Sequence, residues 1–420
     1  MLDKFPLYKG ALIRKVGKLF EIISKLLNSS TTIYYKGLKT SDLIIYDDFF
    51  PNPVSGFRLD EFSYLLNHIL SSKALIDSKN TYALFGYSNQ NRVDHLKKFY
   101  NQNTKDIDKT SVAEVVKFNN INCRLVYTVF YINISRVFKF LDFYQIPFVF
   151  TLYPGGGFII NNNDVDKNLA KILSSDLCKG VIVNQRVTKN YLIDKGLCNE
   201  DKIKFIYGLP VSKDKLGFDF KIKKYYSGAK KRLDICFVGA KYSEMGMDKG
   251  YDLFIGSAKL LQEKYDFVFF HVIGGFNEFD ISVSELKGKI KFYGHINSAE
   301  LQNHLVDFDI ILAPNRANVL SPGAFDGFPV GCCIEASLVG CCIITTDPFN
   351  ENQFYDKVEE IGIVLPELES VYNKVEELIA SPQRISLIGL AGMRKTQHLY
   401  SEDTQLKDRV TYLKNVLSQL

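Results

Sequence analysis

Two carboxylate side chains, Asp326 and Glu335, stand in the stretch 320–347, which has the sequence LSPGAFDGFPVGCCIEASLVGCCIITTD. The prolines and glycines in its first half predict a loop, residues 331–339 a short helix, and residues 341–346 a buried strand. Asp326 falls in the loop. Glu335 falls about one turn into the helix, from where its side chain can point back toward the loop.

This arrangement favours one kind of ligand. Loop amides and the N-terminus of a helix bind anions. Charged carboxylates accept hydrogen bonds from hydroxyl groups, each worth roughly 1.5 to 3 kcal/mol. The stretch therefore predicts a site for a polyhydroxyl ligand that carries a phosphate group.

Short apolar runs alternate with amphipathic segments on both sides of a polar, lysine-rich stretch. Before that stretch, strands are predicted at residues 41–50, 82–87, 124–130, 147–152, 180–183 and 203–207, and helices at 59–70, 134–144, 164–174 and 187–196. After it, strands are predicted at 233–239, 267–272, 290–293 and 310–313, and helices at 251–263 and 298–306. Strands that alternate with helices imply parallel sheets covered by helices on both faces.

We therefore predict an α/β fold with two doubly wound, Rossmann-like domains that face each other across a cleft. The predicted boundaries are 1–212 for the first domain, 213–232 for a linker, 233–402 for the second domain, and 403–420 for a C-terminal helix that could cross back onto the first domain. Ligands bind beyond the carboxyl ends of parallel strands. The loops 51–58 and 153–158 should therefore line the cleft.

The composition, with 46% apolar and 24% charged residues, is typical of a soluble globular protein. No apolar run reaches the ~18 residues of a membrane span, and no cleavable signal peptide is recognisable, so we expect a cytoplasmic location. The eight cysteines lie mostly in apolar contexts. They indicate buried free thiols rather than a disulfide framework.

The positive charge is concentrated near the N-terminus, where residues 1–40 hold eight basic and two acidic residues. Within this segment, residues 11–30 place apolar side chains at helical spacing beside the cations. The pattern predicts either an amphipathic helix on the anionic cytoplasmic face of a membrane or a surface helix packed on the first domain. One short basic segment without interleaved aromatics does not indicate nucleic-acid binding.

With both domains placed, the chain resembles the GT-B glycosyltransferases, and in detail glycosyltransferase family 4, the large retaining group 1 family. The family carries two acids separated by seven residues. Glu335 matches the second acid, which holds the ribose of a nucleotide. The first acid lies near the donor sugar in the family. Asp326 is its counterpart here, but it stands one residue further from Glu335 than the family spacing gives. The family also has two cations that bind the donor diphosphate. Lys249 matches the second. Ala240 stands at the position of the first, and Lys241, the next residue, is the candidate for its role.

The resemblance also implies residues on the two walls of the cleft. On the donor side they are Gly239, Lys241, Lys249, Gly274, His295, Gly327, Phe328 and Glu335. On the acceptor side they are Ser55, Gly56, Arg58, Tyr153, Gly155, Gly156 and Gly157. Tyr153 replaces the histidine that the family commonly has, so it keeps a hydroxyl donor but loses titration near neutral pH.

The activity implied by the resemblance is retaining transfer of a sugar from a nucleotide sugar, with UDP favoured over GDP, to a hydroxyl of a glycan or lipid-linked glycan. Two cations could stabilise the leaving diphosphate, so we expect neither a metal ion nor another cofactor. Two alternatives remain open at this point. One is a GT-B nucleotide-sugar epimerase, and the other is a non-catalytic protein that binds sugar nucleotides or glycans.

Overall fold

The computed structural model describes residues 33–37, 40–51, 55–77, 111–115, 118–211, 213–216, 223–227, 230–286 and 288–420. The predictions for the amphipathic stretch 11–30 and for a strand at 82–87 lie outside these residues. The other predicted strands and helices fall within them.

The first domain is built on a parallel sheet in which seven strands are described, in the spatial order β4-β3-β2-β6-β7-β8-β9. These strands are β2 (Ser41–Asp47), β3 (Ser72–Ile76), β4 (Val112–Glu114), β6 (Cys123–Val129), β7 (Phe148–Leu152), β8 (Cys178–Val183) and β9 (Ile203–Phe205). Two further short strands, β1 (Ile33–Tyr35) and β5 (Phe118–Asn120), pair with each other in parallel. The central strands are near-continuous apolar runs because helices cover both faces of the sheet.

Alternate residues of the strands enter two separate cores of the first domain. Ile44 and Val126 pack on one face with α2 (Tyr131–Tyr144) and α3 (Asn163–Ser174). Leu43 and Leu125 pack on the other face with α1 (Gly56–His68). The helix α4 (Arg186–Asp194) follows β8. The alternation follows from the two-residue period of a strand.

The second domain repeats the architecture with a parallel sheet in which six strands are described, in the order β12-β11-β10-β13-β14-β15. The strands are β10 (Leu233–Gly239), β11 (Val268–Gly274), β12 (Ile290–Phe292), β13 (Ile310–Ala313), β14 (Cys342–Thr345) and β15 (Gly362–Ile363). Its helices are α6 (Tyr251–Lys264), α7 (Ser298–Leu305), α8 (Gly331–Leu338), α9 (Leu368–Ala380) and α10 (Gln383–Leu399), and α5 (Lys213–Leu216) lies between the two domains. The predicted fold class is confirmed.

Residues 223–227 of the predicted linker pack against the second domain. Lys223 is buried, and its ammonium donates to the carbonyl oxygens of Leu305, at 3.0 Å, and of Phe308. Tyr225 donates its hydroxyl to the carbonyl oxygen of Gly340 over 2.7 Å. The lysine-rich stretch therefore contains a buried lysine, which binds the last carbonyl of α7 and a carbonyl of the turn after it.

The C-terminal segment returns to the first domain. After a π-helical turn at Asp403–Lys407, α11 (Asp408–Ser418) places Val410, Leu413 and Val416 in the core that covers Leu43 and Leu125. The helix thus completes one face of the first sheet, although the whole second domain separates the two in the chain.

A fully buried ion pair accompanies this return. Arg409 and Glu61 are both inaccessible to solvent, and the Arg409 Nε atom lies 3.6 Å from Glu61 Oε1. Arg409 also donates to the Tyr153 hydroxyl at 3.2 Å, and that hydroxyl donates to Glu61 Oε2 at 3.0 Å. Tyr127 donates its hydroxyl to Glu61 as well. Buried charges persist in a core only when they are paired and hydrogen-bonded, as these are.

We expect Arg409→Met to destabilise the protein by about 3 to 5 kcal/mol, because it leaves Glu61 buried without its counter-charge. For domains of this size, that corresponds to a fall in melting temperature of more than about 5 °C. The measurement is thermal unfolding followed by circular dichroism.

The matched control is Arg394→Met on α10, where the arginine is exposed, and it should change stability by less than about 0.5 kcal/mol. The double variant Glu61→Gln with Arg409→Met should be less destabilised than the sum of the two single changes. Equal melting temperatures for the Arg409 and Arg394 variants would contradict the structural role of the pair.

Candidate functional site

The carboxyl ends of both sheets open onto one cleft of about 760 Å³ between the domains. One wall includes residues that directly follow strands of the first sheet, such as Asp48 after β2 and Tyr153 after β7. On the opposite wall, the ends of β10 and β11 contribute Gly239 and Gly274. This is the place where doubly wound sheets bind their ligands.

Glu335 lies on α8 and borders the cleft with about 20% of its side chain exposed. Its Oε1 atom accepts a hydrogen bond of 2.8 Å from the hydroxyl of Ser298, the first residue of α7. The same oxygen accepts one of 3.3 Å from the ammonium of Lys215 on α5. A β-carbon on Gly56, at the start of α1, would lie 3.0 Å from this oxygen, so the first domain approaches Glu335 closely.

Asp326 and Lys249 form an ion pair in the same cleft. The Lys249 ammonium lies 2.7 Å from each oxygen of the Asp326 carboxylate, and Asn315 donates to that carboxylate at 2.6 Å. The ring of Tyr242 lies 5.0 Å from the ammonium. Burial acts to lower the pKa of Lys249, but Asp326, Tyr242 and Asp248 together outweigh it, so the pKa is raised and the lysine stays protonated.

Three further residues predicted for the donor side, Gly239, Gly274 and His295, border the cleft. Gly274 has a φ of +127°, and a β-carbon there would overlap the carbonyl oxygen of Gly239, so this close approach of β10 and β11 requires glycine. Burial lowers the pKa of His295, which keeps its imidazole neutral at pH 7. Lys241 forms an ion pair with Asp280 and does not border the cleft.

Gly327 lines the cleft, whereas the neighbouring Phe328 side chain is buried in the second domain. The backbone of Phe328 makes a two-point contact across the domains. Its N–H donates to the side-chain oxygen of Gln185 at 3.0 Å, and its carbonyl accepts from the amide of Gln185 at 3.1 Å. Phe328 therefore connects the domains through its backbone, while its ring fills the core.

A second polar contact joins the domains near α4. Glu351 of the second domain accepts hydrogen bonds from the backbone N–H groups of Arg186, at 2.7 Å, and of Val187. These are the first residues of α4, so the carboxylate caps a helix of the other domain. A backbone hydrogen bond of 3.1 Å from Ile160 to Gly323 adds a third contact. The relative position of the two domains is therefore fixed by several polar contacts.

The predicted residues of the first-domain wall, Ser55, Gly56, Arg58, Tyr153 and Gly155 to Gly157, all border the cleft. The Arg58 guanidinium donates to Asp47 at 3.1 Å and to Asp48 at 2.8 Å. It also lies 4.6 Å from the centre of the Phe130 ring. Its charge is thus compensated on the wall itself.

Tyr153 borders the cleft but is only 2% exposed, and its hydroxyl is bound by Glu61 and Arg409 in the core. Burial raises the pKa of Tyr153 well above its usual value, so the hydroxyl stays neutral. The ring packs with those of Phe57, at 5.2 Å, and Phe130, at 5.6 Å between centroids. The hydroxyl donor expected from the sequence therefore serves the first-domain core, and the wall is largely aromatic.

Several cleft residues escaped the sequence analysis, namely Asp48, Lys215, Tyr242, Asn315 and Arg316. Asn315 and Arg316 follow β13 after a single proline, so the rule about carboxyl ends could have found them. Lys215 had no comparable signal, because it stands in a lysine-rich stretch without periodicity.

Among the described residues, no group of three histidine, cysteine, aspartate or glutamate side chains is arranged to hold a metal ion. Within the same residues, no helix combines the length and apolar character needed to cross a membrane.

Residues 232–381 match the model of the family described as glycosyl transferases group 1. No curated protein sequence matches the chain.

Several solved structures share the fold at low sequence identity. Sucrose-phosphate synthase from Thermosynechococcus elongatus has a TM-score of 0.60 at 12% identity, with 90% of this chain and 100% of that chain covered. HepE from Anabaena, in complex with UDP and glucose, has a TM-score of 0.60 at 15% identity with the same coverage. A UDP-forming α,α-trehalose-phosphate synthase from Burkholderia xenovorans has a TM-score of 0.57 at 10% identity, covering 90% and 99% of the two chains.

The structural matches establish the GT-B fold over most of the chain, and the family match covers the domain that carries Lys249, Asp326 and Glu335. The chain therefore has the GT-B fold, and residues 232–381 of its second domain match the group 1 glycosyl transferases.

Proposed function

We propose that the protein is a retaining, metal-independent glycosyltransferase that moves a sugar from a UDP-sugar to a hydroxyl group of a glycan or lipid-linked glycan. The observation that carries this proposal is the meeting of Glu335 and the Lys249–Asp326 pair in one interdomain cleft. Retention of the anomeric configuration rests on the resemblance to glycosyltransferase family 4.

In the proposed donor complex, Glu335 accepts hydrogen bonds from the ribose hydroxyls. The diphosphate lies against Lys249 and the amides at the start of α8, where the helix dipole favours negative charge. Lys241, which lies beside Gly275, would have to leave Asp280 to reach the diphosphate. The base lies near Gly274 and His295. We infer uracil because HepE was crystallised with UDP on the same fold.

The proposed chemistry breaks the bond between the sugar and the diphosphate, so negative charge grows on the leaving group. A buried, protonated Lys249 stabilises that charge without a metal ion. When the diphosphate takes the ammonium, Asp326 is released to accept hydrogen bonds from the donor sugar. The contacts that hold the cleft together limit the access of water, which would otherwise hydrolyse the donor.

The proposed acceptor site is the first-domain wall formed by Phe57, Phe130, Tyr153 and the three-glycine loop 155–157. Aromatic rings present apolar faces on which a pyranose ring can stack. Asp47 and Asp48 compensate the charge of Arg58, so the described residues of this wall offer no excess positive charge to a strongly anionic acceptor. A neutral sugar residue, free or at the end of a lipid-linked glycan, fits this wall best.

We further propose that the enzyme works at the cytoplasmic face of a membrane, to which residues 1–40 would bind through their basic and apolar side chains. Each cation near an anionic surface contributes about 1 kcal/mol. This would bring the cleft close to lipid-linked acceptors.

The first test is release of nucleotide from a panel of UDP- and GDP-sugars by the purified protein in the presence of EDTA. One UDP-sugar should be hydrolysed slowly and should raise the melting temperature. Glu335→Ala should lower kcat/KM for that donor more than tenfold, a loss of at least about 1.4 kcal/mol, because the ribose loses its charged acceptor.

Glu369→Ala, which changes an exposed glutamate on α9, should leave the rate unchanged. Retention of more than a tenth of the wild-type rate by Glu335→Ala would contradict the donor site. Stabilisation by a donor without any turnover, even with mixed glycan acceptors, would favour a binding protein, and conversion to an epimeric sugar would favour an epimerase.

The acceptor wall is tested with Gly156→Ala. Gly156 has a φ of +53°, and a β-carbon there would overlap the ring of Phe130. We expect transfer to a glycan acceptor to fall about tenfold or more while donor hydrolysis persists, because the substitution displaces the aromatic wall but not the donor site.

Gly196→Ala controls for backbone strain, since Gly196 has a φ of +62° but an open environment away from the cleft. Equal losses of transfer and hydrolysis in Gly156→Ala would argue against a separate acceptor wall.

A further inference from the structure

Lys215 touches both domains at the carboxylate that we assign to the ribose. It lies on α5, the short helix between the domains. Its ammonium is 2.9 Å from Oδ2 of Asp60 on α1 and 3.3 Å from Oε1 of Glu335 on α8. One side chain therefore joins the first domain, the connecting segment and the second domain.

The contacts to Glu335 are asymmetric. Both Lys215 and Ser298 donate to Oε1. Within the described residues, no hydrogen bond to Oε2 is found, although the side chain borders the cleft. A carboxylate fixed through one oxygen has its other oxygen held in a defined direction. In the proposed donor complex, a ribose hydroxyl donates to that oxygen.

The charge arrangement keeps the three groups together. Burial acts to lower the pKa of Lys215, but Glu335 and Asp60 outweigh it, so the pKa is raised above its usual value. The ammonium is therefore charged at neutral pH and separates two carboxylates of like charge. Without it, Asp60 and Glu335 would repel each other in a poorly hydrated part of the cleft.

We propose that Lys215 is a positioning residue for nucleotide binding, which orients Glu335 toward the ribose and makes the affinity for nucleotide depend on Asp60 of the first domain. This inference rests on the proposed function of Glu335. It adds a residue from the connecting segment and a coupling between the domains. The donor site is then completed only when the first domain is in place.

The same contacts allow an opposite prediction. If Lys215 merely occupied Glu335 and had to be displaced by the ribose, its removal would strengthen nucleotide binding. Positioning predicts weaker binding instead. The direction of the change in affinity therefore decides between the two.

The experiment compares UDP binding by isothermal titration calorimetry in the full chain and in the variants Lys215→Met, Lys215→Arg and Asp60→Asn. We expect Kd to rise about tenfold or more in Lys215→Met and less than about threefold in Lys215→Arg, which keeps the charge. Asp60→Asn should also raise Kd. The double variant Lys215→Met with Asp60→Asn should bind no more weakly than Lys215→Met alone, because both changes break one coupled arrangement.

Steady-state kinetics with the preferred donor adds a readout that general destabilisation would not produce. KM for the donor should rise in Lys215→Met while kcat changes less than about threefold. The matched control is Lys189→Met, which removes a lysine paired with the exposed Glu200 and should bind UDP like the wild type. Near-normal binding by Lys215→Arg would show that Lys215→Met binds weakly because it lacks the positive charge, not because it is misfolded.

Unchanged or tighter UDP binding by Lys215→Met would overturn the inference while leaving the proposed function intact. Additive effects of the Lys215 and Asp60 changes would overturn the coupling between the domains. If the wild type bound no nucleotide at all, the proposed function would fail and this inference with it.

Discussion

The pairing of each acid in the cleft with a cation is the constraint on which the rest of the site depends. A carboxylate in a partly buried cleft is costly unless a counter-charge and hydrogen bonds replace water. Asp326 has Lys249, and Glu335 shares Lys215 with Asp60. On the opposite wall, Asp47 and Asp48 share Arg58. A phosphorylated sugar ligand fits this arrangement because it brings both an anion for the cations and hydroxyl groups for the acids.

The domains meet through both apolar and polar contacts. Among the apolar ones, Phe325 packs on Phe158 and Phe354 on Tyr207. The polar contacts lie close to the cleft. Gln185 binds the backbone of Phe328, Glu351 caps α4, and Lys215 connects Asp60 with Glu335. Each contact crosses from one domain to the other beside a residue that borders the cleft. The alignment of the two cleft walls therefore depends on the same hydrogen bonds that join the domains beside the cleft.

The sequence predicted the fold class and the segments on which Glu335, Asp326 and Lys249 lie, because strand alternation and the loop before α8 leave strong patterns. It placed strand 310–313 with the bounds that the structure gives, but it missed β3, whose sequence SKALI is short and carries a lysine. It could not foresee that Lys241 pairs with Asp280 or that the Tyr153 hydroxyl turns to Arg409. Both depend on contacts between residues far apart in the chain, for which local patterns carry no signal.

The return of α11 to the first domain sets an order on folding during synthesis. Val410, Leu413 and the buried Arg409 belong to the core of a sheet whose strands emerge from the ribosome some two hundred residues or more earlier. Domains usually fold as units as they are made. Here the part of the first domain that α11 covers, including Glu61, stays exposed until the second domain has been translated. The nascent chain is therefore most exposed to aggregation and chaperone binding during that interval.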